Sequence, residues 1–372
     1  MNSAAQQPDK KADRSRARAR IQREKLRVAA IVEDLRLPLD EGAKKSCFSL
    51  IRSFKENGAE VSTFTRYGNP LLQDVFPLPS NKLLLGFSFA RTLKMQAPDV
   101  ILYMPTSSGT MGAFVRAAAI KAQRSGIPLA LLSLQYRDLP AFASNLGLHR
   151  FADIVFTQSQ ASAEVFRSVG CRTVLLPGGV DHTIFHPASQ QERHKLRLQY
   201  GFQDTDRIVL HVGHCSRGRS VMTLARLVGS GFKVVLITST STALDHELLG
   251  QLRRSGVTVI TDFIENIQHF YQLADCYLFP VLSVTSAIDA PLSISEAMAC
   301  NLPVVTTRFG ALPAMFQPGN GLYYADSDDE MVRSVEQAVA EQDCRTVEKV
   351  SPYSWGRAAS TILETLRERS AL

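Results

Sequence analysis

Two arginines bracket one glycine at Arg217-Gly218-Arg219, just after an apolar run that ends in Val212-Gly213-His214. A guanidinium fork at the start of a helix opposes the helix dipole, and a bound phosphate would satisfy both. Further along, Asp289 precedes Pro291-Leu292-Ser293, where Ser293 is placed to cap a helix running through Glu296 to about residue 300. Glu296 lies beside Ala297, Met298 and Ala299, so that helix is expected to be buried and its carboxylate to need partners. The two hydroxyls of a ribose are suitable donors, as they are in dinucleotide sites; a local arginine is the plainer alternative. Cations and N–H dipoles fixed in this way stabilise charge that grows on a leaving diphosphate. His182, His186 and His246 read as turn or surface residues rather than catalysts.

These residues need a frame. Short apolar runs at 27–33, 61–65, 99–104, 128–134, 154–157 and 173–176 alternate with amphipathic stretches at 42–56, 84–96, 112–125, 141–150 and 160–169. Strand–helix alternation predicts a parallel sheet covered on both faces. The pattern pauses at the turn-rich Leu176-Pro177-Gly178-Gly179-Val180-Asp181. It resumes with strands at 207–212, 233–237, 257–260, 276–279 and 304–306, and closes with a helix over 354–369. The expected fold class is α/β, with two Rossmann-like doubly wound domains facing a cleft. The expected domains are 27–180, joined by the closing helix, and 181–353. Open parallel sheets bind ligands beyond the carboxyl ends of their strands. Gly42 and Gly213 stand in such turns, where backbone N–H groups can meet an anion.

Bulk properties set the bounds. The chain has 372 residues, of which 45% are apolar, enough for two cores. Its net charge is +7, but residues 1–27 alone carry nine cations against three anions, leaving +1 for the rest. The high charge therefore describes an arm over 1–26, expected to be solvated and open to contact with an anionic membrane surface. No basic body suited to nucleic acid is expected. No run of 18 apolar residues is present, and no apolar stretch of signal-peptide type follows the basic start. None of the six cysteines lies two to four residues from another, so neither a zinc site nor a disulfide framework is indicated, and a cytoplasmic address is expected.

Five segments carry a family resemblance that covers about 27–369. They are LPGGVDHTIFHP (176–187), HVGHCSRGR (211–219), DCYLFP (275–280), SISEAMACNLPVVTTRFG (293–310) and SPYSWGRAA (351–359). Together they resemble the family 4 glycosyltransferases of the GT-B type, which are retaining and use nucleotide sugars. The resemblance implies that Glu296 binds the donor ribose and that Pro291-Leu292-Ser293 approaches its diphosphate. It implies that Arg217-Gly218 stands for the usual Lys-Gly, that Phe263 and Ile264 flank the base, and that Gly42 meets the phosphates. The 354–369 helix would cross back to the first domain.

Three positions depart from the family pattern. The first acid of its Glu-x7-Glu motif falls at Ile288, with Asp289 one residue later; His214 follows Gly213 where a basic residue is usual; and the loop Gln135-Tyr136-Arg137-Asp138 offers no acceptor-side histidine. The sequence reading assigns Arg217, Arg219 and Asp289 to catalysis. Donor binding falls to Gly42, Gly213, His214, Arg217, Phe263, Ile264, Asp289, Pro291, Leu292, Ser293 and Glu296. The expected reaction moves a hexose-type sugar from UDP or GDP to a glycan, glycolipid or other hydroxyl, with no metal and no cofactor. A same-fold sugar-nucleotide epimerase and a non-catalytic nucleotide-sugar-binding subunit stand as alternatives.

Overall fold

The computed structural model describes residues 25–241 and 244–370. The arm expected over 1–26 lies outside them except for its last two residues. The first sheet is built from β1 (Arg27–Val32), β2 (Glu60–Thr65), β3 (Val75–Pro77), β4 (Val100–Met104), β5 (Leu129–Ser133), β6 (Ile154–Thr157) and β7 (Thr173–Leu175). All pairings are parallel, in the order β3-β2-β1-β4-β5-β6-β7. The second contains β8 (Ile208–Val212), β9 (Lys233–Ile237), β10 (Thr258–Ile260), β11 (Cys276–Phe279), β12 (Val304–Thr306) and β13 (Leu322–Tyr324). It is also parallel, in the order β10-β9-β8-β11-β12-β13.

Central strands such as VILYM (β4) and LALLS (β5) are buried at every position, as strands covered on both faces must be. Alternate residues feed opposite layers. Val28, Ala30 and Val32 join the Gly42–Glu56 and Trp355–Ser370 helices on one face, while Ala29 and Ile31 join Phe64, Phe89 and Phe114 on the other. The last helix therefore completes the core of the first sheet. Ile362, Leu363 and Leu366 are fully buried there, each contributing about 1.5–3 kcal/mol of apolar burial.

The chain passes between the sheets at about 176–180 and again at 353–355. The two passages touch: Val180 bridges Ser354, and its N–H donates to the Tyr353 carbonyl at 3.4 Å. Gly179 is needed at this crossing, because a Cβ there would lie 2.7 Å from the Trp355 nitrogen.

Local differences from the sequence reading have local causes. The helix expected over 141–150 is two 3-10 turns, Ala141–Leu146 and Leu148–Arg150, split by Gly147 at φ +60°. The three-residue edge strands β3 and β13 were not expected; β3 ends in a proline, tolerated at an edge. Pro291 rather than Ser293 occupies the cap of the Leu292–Ala299 helix. Arg217–Arg219 is a single 3-10 turn, closed by Ser220 at φ +52°, and the following helix starts only at Thr223.

Candidate donor site

The strand order of each sheet reverses once, between β1 and β4 in the first and between β8 and β11 in the second. Ligands bind such sheets outside the strand ends at these reversals. Here both reversals open on one cavity of about 390 Å³. Its walls come from the segments after β1 (Asp40, Gly42, Lys45), β8 (Gly213, His214), β9 (Thr238, Ser239), β10 (Phe263, Ile264) and β11 (Ser286, Ile288), with Glu296 beyond them. Two helices begin at this wall, Gly42–Glu56 and Leu292–Ala299, and neither carries an acid in its first turn. Their N-termini leave open N–H groups toward the cavity, where Glu41, the cap of the first helix, offsets the positive field of that one.

Arg219 is the central cation. It is 8% exposed, lines the cavity, and donates from Nε and Nη2 to the Ser286 carbonyl at 3.0 and 2.8 Å. Among the described residues it makes no ion pair, so its charge is buried without a carboxylate, and burial pulls its pKa down. Gly213 makes room for it: at φ +156°, a Cβ on residue 213 would lie 2.5 Å from Arg219 Nη1. Two histidines flank it. Burial, aided by the Arg219 charge, holds His214 down to about 4. His211 is fully buried and likewise held down to about 4, by burial first. His211 Nδ1 donates to the Leu278 carbonyl at 2.8 Å, and Nε2 has no partner among the described residues. Both rings are neutral at pH 7, so the positive charge at this wall belongs to Arg219.

Glu296 is buried, yet its carboxylate reaches the cavity. Among the described residues no arginine holds it. Oε1 accepts from Lys45 Nζ at 2.6 Å, and Oε2 accepts from Tyr271 at 3.0 Å, with burial and the carboxylate pushing the Tyr271 phenol well above 10. Lys45 belongs to the first domain, so this ion pair spans the cleft. Asp40 spans it too: its carboxylate accepts from Ser239 Oγ, from the N–H and Oγ1 of Thr240, and from the N–H and hydroxyl of Ser241. Despite burial, these donors lower its pKa.

Of the residues singled out in the sequence, Gly42, Gly213, His214, Arg219, Phe263, Ile264, Pro291, Leu292, Ser293 and Glu296 meet at this cavity. Arg217 and Asp289 do not. Arg217 turns outward, 62% exposed, and pairs with Glu247 at 2.6 Å and Asp245 at 3.4 Å. Asp289 faces the first domain: Oδ2 accepts from Ser159 and Ser162, and Oδ1 from the Tyr136 N–H at 2.8 Å. Its neighbour Ile288 takes the cavity wall instead, 3.2 Å from where a Cβ on Gly42 would stand. In this structure Arg217 serves a surface ion pair and Asp289 the seam between domains.

Sequence reasoning missed Lys45, Asp40 and the cluster at the first sheet's reversal. There Tyr103 and Thr106 donate to Glu33 at 2.6 and 3.3 Å, while Arg116 pairs with the same carboxylate at 3.1 Å. Thr106 and Arg137 carry this cluster to the cavity edge. The one available signal was position, since Asp40 and Lys45 flank Gly42 at the start of an amphipathic helix. Among the described residues, no group of three or more His, Cys, Asp or Glu is placed to hold a metal.

The fold is GT-B. Superposition on sucrose-phosphate synthase from Thermosynechococcus elongatus gives a TM-score of 0.72 at 17% identity, over 93% of this chain and all of that one. The Anabaena protein HepE in complex with UDP gives 0.71 at 19% identity, over 92% and 100%. Residues 220–341 match the family model described as Glycosyl transferases group 1. A curated relative is the GDP-mannose-dependent alpha-(1-6)-phosphatidylinositol dimannoside mannosyltransferase of Mycobacterium tuberculosis, 25% identical over 241 residues. That match spans about 60% of the GT-B chain and about 60% of the relative's length.

Proposed function

We propose that the chain transfers a hexose-type sugar from UDP or GDP to a hydroxyl of a glycan or glycolipid, with retention of configuration. One observation carries this reading: a buried guanidinium, without a carboxylate partner, faces a cleft onto which two helices also open. Breaking the bond from the anomeric carbon to a nucleoside diphosphate places growing negative charge on the leaving group. Arg219 and the two helix N-termini are already oriented toward such charge and need no reorganisation as it develops. They neutralise the leaving group without a metal in this reading. Glu296 takes the ribose hydroxyls, with Lys45 beside it to meet the diphosphate, and Phe263 and Ile264 flank the base. HepE, in complex with UDP-glucose in another solved structure, and the GDP-mannose-dependent relative support a nucleotide-sugar donor.

A second reading rests on Ile288. With Asp289 turned away, the wall presents an alkyl group where the family motif places an acid, which suits a subunit that binds nucleotide sugar without turning it over. A thermal-shift screen against UDP, GDP, ADP, TDP and their sugar conjugates tests both. A ligand at 100 times its dissociation constant stabilises by about 2.7 kcal/mol. The transferase reading expects a shift with one nucleotide, lost in Arg219→Met and Glu296→Ala, and release of that nucleotide when acceptors are added. Binding without release across an acceptor panel supports the subunit, and no shift with any nucleotide sinks both.

A further inference from the structure

The loop Gln135-Tyr136-Arg137-Asp138, after β5, carries a cation that the donor reading leaves unused. Arg137 lines the cavity beside Thr106 and Gln135. Its Nε donates to the Ser107 carbonyl at 3.3 Å and its Nη2 to Gln135 Oε1 at 2.6 Å. These two bonds orient the guanidinium, and Nη1 has no partner among the described residues. Gln135 in turn reaches across the cleft. Its Nε2 donates to the Thr285 carbonyl, and the next carbonyl, that of Ser286, holds Arg219. Two arginines from opposite domains therefore stand on one chain of contacts that includes no carboxylate.

The acids around Arg137 are engaged elsewhere. Glu33 is taken by Tyr103, Thr106 and Arg116, and its charge cancels that of Arg116. Asp138 accepts from the Tyr136 hydroxyl at 2.7 Å. Asp289 is near enough for Arg137 to favour its ionised form, but its hydrogen bonds come from Ser159, Ser162 and the Tyr136 N–H. On the neighbouring stretch of wall, Asp40 is held by Ser239, Thr240 and Ser241, while the cation acting on Glu41 is Lys44. Arg137 thus keeps an open N–H edge and forms no ion pair among the described residues. The diphosphate has its own partners in Arg219, Lys45 and the helix N-termini. Arg137 is anchored instead to the loop after β4, at the reversal of the first sheet. A carboxylate or phosphate oxygen is the acceptor that best matches such a fork.

We propose that Arg137 binds an anionic substituent, a carboxylate or a phosphate, on the sugar being transferred or on the acceptor that receives it. The proposal rests on the transferase reading above and narrows its substrate class to molecules that carry an acid beside the reacting centre. A neutral substrate would leave the open edge of the guanidinium unpaired, a loss that a site built for hydrogen bonding turns into discrimination.

Calorimetric titration of the full chain tests this, with the parent set against Arg137→Gln and Arg137→Lys. One arm compares UDP-glucuronate with UDP-glucose and GDP-mannuronate with GDP-mannose. The other compares glucose 6-phosphate and mannose 6-phosphate with glucose and mannose, with and without UDP or GDP. The expected result is a preference of about tenfold or more for the acid in one arm, and that arm names the source. Arg137→Gln should abolish the preference and Arg137→Lys, which keeps the charge but not the fork, should lower it. Should the glutamine variant fail to fold, the lysine variant carries the test. No preference in either arm, or one that both variants retain in full, overturns the proposal. So does an equal loss of UDP or GDP affinity in Arg137→Gln, which would give Arg137 to the diphosphate. A chain that binds neither UDP nor GDP sinks the transferase reading instead, and the sugar phosphates titrated without nucleotide still decide the role of Arg137.

Discussion

Replacing Arg219 by methionine separates the burden of a buried charge from its use. In the folded chain the guanidinium is desolvated, and its recorded acceptor is one carbonyl, that of Ser286, at 3.0 and 2.8 Å. Hydrogen bonds of a charged donor are worth about 1.5–3 kcal/mol, while burying an unpaired cation costs several kcal/mol even after relaxation. Methionine keeps the length and apolar stem and removes the charge. Folding stability is therefore expected to stay within about 1 kcal/mol of the parent, or to rise, as removal of buried charge has done elsewhere. Activity should move the other way. Loss of one fixed charge-stabilising donor raises the barrier by about 2–4 kcal/mol, a 30- to 1,000-fold fall in kcat. Urea unfolding gives the first quantity, and release of nucleoside diphosphate gives the second. Arg217→Met is the internal control. Its ion pairs are exposed, so it should change neither quantity by more than a few tenths of a kcal/mol to about 1 kcal/mol. An Arg219→Met protein that loses more than about 3 kcal/mol of stability while keeping nucleotide affinity would refute the reasoning and make Arg219 a structural tie.

Gly213→Ala should reproduce much of the Arg219 defect without touching that residue, because the added Cβ lands on the guanidinium at a backbone angle that L-residues resist; nucleotide affinity equal to the parent's would discard the steric account. Stability should fall as pH drops from about 6.5 toward 4, since His211 and His214 are held neutral down to about 4 in the fold while the unfolded chain takes up protons from 6.5. For the fully buried His211 this amounts to about 3 kcal/mol, and urea midpoints of His211→Phe should show a shallower slope over that range. Asp289→Ala leaves two serine hydroxyls and one N–H without their acceptor at the domain seam and should cost about 1–3 kcal/mol. Nucleotide affinity of its folded fraction should hold, and full stability with lost turnover would return Asp289 to the chemistry.

The sheets were legible because their inner strands are unbroken apolar runs, such as 100–104 and 129–133, whose burial on both faces leaves little ambiguity. The missed strands, β3 and β13, are three residues long, too short for a period to show. Much of the cavity wall was legible for a related reason: glycine turns after strands lie where parallel sheets receive ligands. Side-chain direction was not. Arg217 and Arg219 are two residues apart in one tight turn and point to opposite environments, a distinction that rests on the left-handed Ser220 and on the empty space over Gly213. The direction of Asp289 was not legible, because a single register step exchanges the cleft for the seam and nothing in its own neighbours marks which side it faces. Lys45 escaped notice because its partner lies 251 positions away.

The two passages of chain between the sheets have a mechanical consequence. A lone linker would let one domain twist and swing freely on the other. Two strands of chain side by side, stapled at Val180 and Ser354 and packed through Gly179 on Trp355, resist torsion far more than bending. The clasp of Asp40 on Ser239, Thr240 and Ser241 adds a further tie between the halves, one made of hydrogen bonds alone.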